Sequence, residues 1–338
     1  MLRAIRRFSL LLLLETGITL FSAQAGAQAL NSAGVRWDST NQVLFFEPGL
    51  PGLVVRSHAD GAGRRAEIDI SKDFAGLQNV YVDSVTAAPE GTTLIAATLS
   101  FRNYTAQSMI LTYDSSGQLL KTWDTMSQQV EAIAYSRDDD AVFVLGEGGA
   151  PNGPNAPLDP LLVEYSRDGR VLKSLIPAGM LRDGGDSLRA SSQVGEPALR
   201  ITKNRIYFYA PKNRETCIIE RTKVGFAYWD ISEVVADLST EDGYHLVQTH
   251  HVDFSDDGDI VLELLLGNDS SHSYVLDLVR LNIETGEGAS VHKSFNDARL
   301  WFVGIENGKY LYLADGKDLY IQPSAAQEPA PLDTKQLD

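Results

Sequence analysis

Apolar and polar positions along this chain fall into one pattern that returns six times. The copies begin at Val35, Val85, Ile133, Leu199, Val252 and Val303. Each alternates apolar and polar, runs into a short turn, and then climbs into a dense apolar run. Val85-Thr86-Ala87-Ala88 passes through Pro89-Glu90-Gly91 into Leu94-Ile95-Ala96-Ala97. Ile133-Ala134-Tyr135-Ser136 passes through Arg137 to Asp140 into Val142-Phe143-Val144-Leu145. Val252-Asp253-Phe254-Ser255 passes through Asp256-Asp257-Gly258 into Ile260-Val261-Leu262. Alternation predicts a strand, and the Asn, Asp and Gly of the turns tolerate the backbone angles of a tight hairpin. A second strand that is apolar at nearly every position is one buried on both faces.

A second hairpin follows most copies. Met109 to Tyr113 turns at Asp114 to Gly117 into Gln118 to Trp123, and Leu161 to Tyr165 turns at Arg167 to Gly169 into Val171 to Ile176. Four strands in each unit, repeated at roughly 50-residue spacing, predict an all-β chain folded as a six-bladed β-propeller of four-stranded antiparallel blades. Sandwiches and barrels also use alternating short strands, but they rarely repeat a whole four-strand unit six times. The last unit supplies Leu319-Tyr320-Ile321 as a third strand. Its outer strand is then missing or comes from the stretch near Leu332, and the closure of the ring is not legible. The expected organisation is a secretory signal over 1–29, one propeller domain over 30–326 and a polar tail over 327–338.

The expected signal has a basic start at Arg3, Arg6 and Arg7, an apolar run from Phe8 to Leu14, and a small-x-small site at Ala27-Gln28-Ala29. The apolar run is short and interrupted by Glu15, well below the ~20 residues of a membrane span. An exported, periplasmic or extracellular protein with no integral membrane segment after cleavage is expected. The formal charge of the chain is −16, and removal of 1–29 takes away three arginines and one glutamate and leaves −18. Such a body repels nucleic acid and anionic membrane. The single cysteine, Cys217, rules out an intramolecular disulfide and reads as a buried thiol.

Propeller geometry narrows where chemistry would sit. The loop into each innermost strand and the loop out of each second strand share one mouth of the channel. The first set holds Asp83, Glu131, Glu196, His250 with His251, and Arg299; the second holds Glu47, Arg102, Glu147, Lys212, Asn268 with Asp269, and Asp315. From these, Glu131, Glu147, Glu196, His250, Asn268, Asp269, Arg102 and Arg299 form the candidate binding set. Adjacent strand residues face opposite ways, so only one of His250 and His251 is expected to reach the channel. Imidazole with carboxylates from other blades is a metal-binding combination, with Glu131, Glu196 and His250 as candidate ligands and Asp269 as a further partner. Two irregular loops, Gly146 to Asn155 and Pro177 to Pro197, are expected on the same side as a binding rim. The chain has no Gly-x-Ser-x-Gly elbow, His-Glu-x-x-His, Walker loop, Cys-x-x-Cys or haem motif.

The outer hairpins Tyr113-Asp114-Ser115-Ser116-Gly117-Gln118-Leu119-Leu120-Lys121-Thr122-Trp123 and Tyr165-Ser166-Arg167-Asp168-Gly169-Arg170-Val171-Leu172-Lys173 resemble NHL-type propeller repeats. The resemblance implies the broad six-bladed superfamily, which includes binding modules, lyases and distant gluconolactonase-like metallohydrolases. Members of the last group hold a divalent metal at the channel mouth, a role that Glu131, Glu196 and Asn268 match by position only. Two expectations follow. The first is a non-catalytic scaffold that binds a protein, peptide or glycan at the mouth and needs no cofactor. The second is a metal-dependent hydrolase or lactonase with a calcium or zinc ion held by mouth carboxylates.

Overall fold

The protein is described by a computed structural model covering residues 36–38, 43–46, 52–58, 66–102, 105–125, 129–147, 162–176, 197–210, 215–221, 226–230, 243–255, 257–295, 300–314 and 318–332. Its strands fall, in chain order, into six four-stranded antiparallel sheets among these residues. The first sheet is β1 (Arg36–Asp38), β2 (Val43–Phe46), β3 (Leu53–His58) and β4 (Ala66–Asp69). The second is β5 (Leu77–Ala87), β6 (Thr93–Phe101), β7 (Ala106–Tyr113) and β8 (Leu119–Asp124). The third is β9 (Gln129–Ser136), β10 (Ala141–Glu147), β11 (Leu162–Ser166) and β12 (Val171–Ile176). The fourth is β13 (Ala198–Ile201), β14 (Arg205–Ala210), β15 (Glu215–Glu220) and β16 (Phe226–Asp230). The fifth is β17 (His245–Phe254), β18 (Ile260–Asn268), β19 (Ser273–Leu281) and β20 (Gly288–Phe295). The sixth is β21 (Leu300–Glu306), β22 (Lys309–Ala314), β23 (Asp318–Gln322) and β24 (Ala330–Pro331).

The first strand of each sheet touches the first strand of the next, from β1 through β5, β9, β13 and β17 to β21, and β21 returns to β1. Radial sheets joined edge-inward in this cyclic order are a β-propeller. Every sheet is built from one continuous stretch of chain, so β1 and β21 meet by packing, without sharing a sheet. The outer strand of the sixth sheet is β24, which pairs Ala330 with Ile321 and Pro331 with Tyr320. The stretch read as a polar tail thus supplies the strand that the apolar pattern could not show; two exposed residues on an outer edge need no apolar side chains. The signal segment and Cys217's side chain lie outside the described residues, although Cys217 itself pairs with Phe208 and Tyr228 in β15.

The cores lie between sheets. One cluster joins Phe45, Val54 and Ile68 of the first sheet to Ile95, Leu99 and Leu111 of the second. Others join the second to the third, the third to the fourth, the fourth to the fifth and the fifth to the sixth. This is why second strands are apolar throughout: Val142, Phe143, Val144 and Leu145 are all fully buried, alternate ones facing opposite neighbours. Each such side chain contributes about 1.5–3 kcal/mol by leaving water.

The two hairpins with the repeated motif share one turn geometry. Asp114 N–H bonds Gln118 O while Gly117 N–H bonds Asp114 O, and Ser166 with Arg170 and Gly169 repeats the arrangement. Both glycines have φ of +83°. A Cβ on Gly117 would sit 2.8 Å from the Glu67 carbonyl, and one on Gly169 would sit 2.6 Å from the Trp123 ring. The glycine is therefore required twice, by the left-handed backbone and by close packing on the outer strand of the preceding sheet.

Candidate functional site

The innermost strands are not regular. Pairing with the second strand skips Asp83 in β5, Glu131 in β9 and His250 in β17, so each occupies a β-bulge. Each stands two residues before the start of a sequence repeat. These three copies of the repeat thus carry a bulge with them, and bulges re-aim a side chain and break the alternation of a strand. The sequence placed these three residues at the approaches to the strands; the structure places them inside the strands. Asp83 is 6% exposed, Glu131 1%, and the His250 side chain 5%. Asp83 Oδ2 accepts a 2.8 Å hydrogen bond from Thr98 Oγ1.

The histidine pair packs against the sixth sheet. Both rings meet β21. His250 stacks on Trp301 at 5.7 Å with planes 16° apart, and His251 meets Phe302 edge-on at 5.4 Å. Trp301 and Phe302 are consecutive paired residues of β21 and alternate in direction, so the two rings meet side chains that point opposite ways.

A residue absent from the sequence-derived set completes this cluster. Glu263 lies in β18, fully enclosed, and its Oε1 accepts the Phe302 backbone N–H at 2.9 Å. Its Oε2 comes within 4.0 Å of His250 Nδ1. Burial pushes the Glu263 carboxyl up to about 8, only partly opposed by the Phe302 N–H. Burial pushes His250 down to about 4. At neutral pH the proton sits on Glu263 and the imidazole is neutral, so the close approach is an acid beside an uncharged ring and not an ion pair. Both His250 ring nitrogens are buried without a hydrogen bond among the described residues. Behind this pair, Tyr312 donates to Gln322 Oε1 at 2.5 Å, and Gln322 Nε2 donates to Val291 O at 3.2 Å. Glu263 was visible in principle: it is the single charged residue in the apolar run Ile260 to Leu266. A buried acid with a displaced pKa is a recognised marker of functional sites and also of structural networks.

The remaining candidates lie apart from this cluster. Asn268 ends β18, where Oδ1 accepts the backbone N–H groups of Ser270 and Ser271 at 3.0 and 3.1 Å and so shapes the following turn. Asp269 is exposed in that turn, and the exposed Arg102 follows β6. His250 is four to five residues deeper along the strand pair than Asn268, roughly 15 Å at strand spacing. Glu147 ends β10 opposite Gln129, with its side chain outside the described residues. Glu196 and Arg299 lie outside them altogether, as do Glu47, Lys212 and Asp315 and most of the two irregular loops. Among the described residues, no three His, Cys, Asp or Glu side chains come together at metal-binding spacing. No helix among them is long and apolar enough to cross a membrane.

No family model matches this chain, and no curated protein matches it. Solved structures do resemble it. A luciferin-regenerating enzyme aligns over 90% of this chain and 86% of its own at 12% identity and a TM-score of 0.42. The C-terminal WD40 domain of Sif2 aligns over 85% and 80% at 8% identity and 0.40. The Cps50 (Swd1) β-propeller domain of Myceliophteria thermophila aligns over 89% and 86% at 12% identity and 0.41. Likeness at this level carries no functional weight, and the propeller assignment stands on the strand order and the cyclic packing of the inner strands.

Proposed function

We propose that this chain is an exported, six-bladed, NHL-like propeller that acts as a binding scaffold, holding a protein, peptide or glycan across its mouth. The carrying observation is the asymmetry of the two ends of the sheets. At one end the fully described hairpins between first and second strands close tightly, as at Pro89–Gly91 and at Asn307-Gly308. At the other end the chain makes its longest connections, from Glu147 to Leu162, Ile176 to Ala198 and Asp230 to His245. All three belong to the third, fourth and fifth sheets, and long connections on a rigid scaffold are where binding residues concentrate. Arg102, Asn268 and Asp269 stand at this end. The mature chain, carrying a photo-crosslinker at Arg102 or Asn268, should form adducts in the exported fraction. The same probe at Asn307, on the opposite end, should form none. Adducts from Asn307 alone, or from no position, would remove the reading.

One observation favours the second reading, a metal-dependent hydrolase. Glu131 and His250 occupy the same bulge position of the third and fifth sheets, and Glu196 precedes the corresponding position, Pro197, of the fourth. These three would supply two carboxylates and an imidazole to calcium or zinc. Elemental analysis of the purified mature protein tests it: a stoichiometric metal lost in Glu131→Gln supports the hydrolase, and a metal-free protein removes it.

A further inference from the structure

At the mouth, the fifth sheet stands above the described strands of the sixth. The two sheets are registered where Glu263 takes the Phe302 N–H. From that level β21 reaches two residues further toward the mouth, to Leu300, whereas β18 continues past Gly267 to Asn268. The difference is about 7 Å or more of strand. Val261 and Glu263 face the sixth sheet, and β18 pairs with β19 without interruption, so Leu265 and Gly267 continue the same face. The upper row of this projecting face is His245, Gly267 and Tyr274, directly opposite one another across β17, β18 and β19. Tyr274 is 53% exposed, and His245 is exposed as well. A Cβ on Gly267 would lie 3.4 Å from Tyr274 Cε1 and 3.5 Å from His245 Cε1, so both rings border the bare glycine. The row below is Gln248, Leu265, Leu276 and Ser294, and Gln248, Leu265 and Ser294 are only half-buried.

The chemistry of these two rows selects among ligands. None of the residues is an acid, a lysine or an arginine, although charged residues make up 22% of the chain, so the shelf suits an uncharged molecule. Two exposed rings beside a residue without a side chain offer a floor for a flat apolar face. Gln248 and Ser294, at the two ends of the lower row, supply an amide and a hydroxyl, and each of these both donates and accepts. The combination matches a molecule with one apolar face and a rim of hydroxyls. A proline-rich segment also seats on aromatic rings, but proline has no N–H and brings acceptors only, which leaves the accepting side of Gln248 and Ser294 unused. We propose that this shelf binds a neutral pyranose unit of a glycan, its C–H face on Tyr274 and His245 across Gly267 and its hydroxyls toward Gln248 and Ser294. The proposal rests on the scaffold reading, since the shelf stands at the mouth, and it selects the glycan among the partners of that reading.

Isothermal titration of the mature chain with cellohexaose and chitohexaose tests this, with hexagalacturonate as a charged analogue and decaproline as the peptide alternative. At least one neutral oligosaccharide should bind, and Tyr274→Ala should weaken it by about tenfold, the scale of one lost ring contact. Tyr274→Phe keeps the ring and should stay within about threefold of the parent. Tyr81→Ala is the control: Tyr81 is 60% exposed on β5 of the second sheet, where it pairs with Thr98, and its removal should leave binding unchanged. Three results would overturn the proposal: no binding of either neutral oligosaccharide, an affinity that survives Tyr274→Ala or falls equally in Tyr81→Ala, or tighter binding of decaproline or hexagalacturonate. In each of those cases, adducts from the crosslinker at Arg102 or Asn268 keep the scaffold reading, and their absence removes it as well.

Discussion

The contact between the second and third sheets and the contact between the fifth and sixth solve one problem with different chemistry. In both, backbone N–H groups of an inner strand need acceptors from the preceding sheet. Between the second and third sheets, hydroxyls serve: Ser84 Oγ accepts from Ile133 at 3.1 Å and Thr86 Oγ1 from Tyr135 at 3.3 Å, beside an apolar cluster. Between the fifth and sixth, carboxyls serve: Glu263 accepts from Phe302, and Asp253 Oδ2 accepts from Ile305 at 3.2 Å. A hydroxyl has no proton to lose at ordinary pH. A buried carboxyl does, and so the second contact is the one whose strength is tied to pH.

The largest expected effect lies in the first contact. Ile110→Ala empties a fully buried site among Leu94, Val130 and Val142 and should cost about 2–5 kcal/mol. Denaturant titration should find the same loss at about pH 5 and about pH 8, since the truncated group and its neighbours do not titrate. A loss that changed strongly between the two would break the contrast.

The second contact should show the opposite behaviour. Glu263 is raised from 4.5 to about 8 in the folded protein, so its contribution is fully present below 4.5 and is lost as pH rises toward 8. His250 is lowered from 6.5 to about 4, so its contribution is present above 6.5 and is lost as pH falls toward 4. Glu263→Gln keeps an acceptor for Phe302 and cannot ionise. It should be more stable than the parent at about pH 8, by on the order of a few kcal/mol, and nearly equal to it at about pH 4.5. An unchanged alkaline limb in the melting profile would show that Glu263 is not the titrating group.

The smallest effect is expected from Thr86→Val. It removes the acceptor of Tyr135 N–H and the donor to Asp38 Oδ2, a 2.9 Å bond, while keeping the shape of the side chain. A loss of about 1–3 kcal/mol, independent of pH, should appear in the same titrations. If the loss followed pH, the hydroxyl contact would be coupled to Asp38, and the two interfaces would differ less than their acceptors imply.

Much of the architecture was legible because a propeller strand buries both faces. Val142 to Leu145 and Ile260 to Leu266 announce this by composition alone, and the motifs ending in Gly117 and Gly169 announce their turns. The outer strand of the sixth sheet was legible only as one of two alternatives, the stretch near Leu332, since Ala330 and Pro331 bury nothing and signal only by pairing. The candidate site was legible in its residue types and not in its placement. The approach to the strands was located by assuming regular pairing, and a bulge one residue long moved Asp83, Glu131 and His250 into the strand wall. The same bulge leaves His250 outside the pairing and keeps His251 within it, and the two rings meet the consecutive residues Trp301 and Phe302 of β21. Glu263 was passed over because a single acid within an apolar run carries no spacing signature.

The strands, their hairpins, the repeat that stacks them, and the acidic, single-cysteine character of the chain are all readable along the chain. These are local and periodic properties, set by which side chains leave water and which turns the backbone allows. Which N–H groups meet a hydroxyl and which a carboxyl, and how burial displaces the Glu263 carboxyl, were settled by the packing of sheet on sheet. Those outcomes depend on distances between segments tens of residues apart and on the loss of solvent around them, and neither is written in any single stretch of the chain.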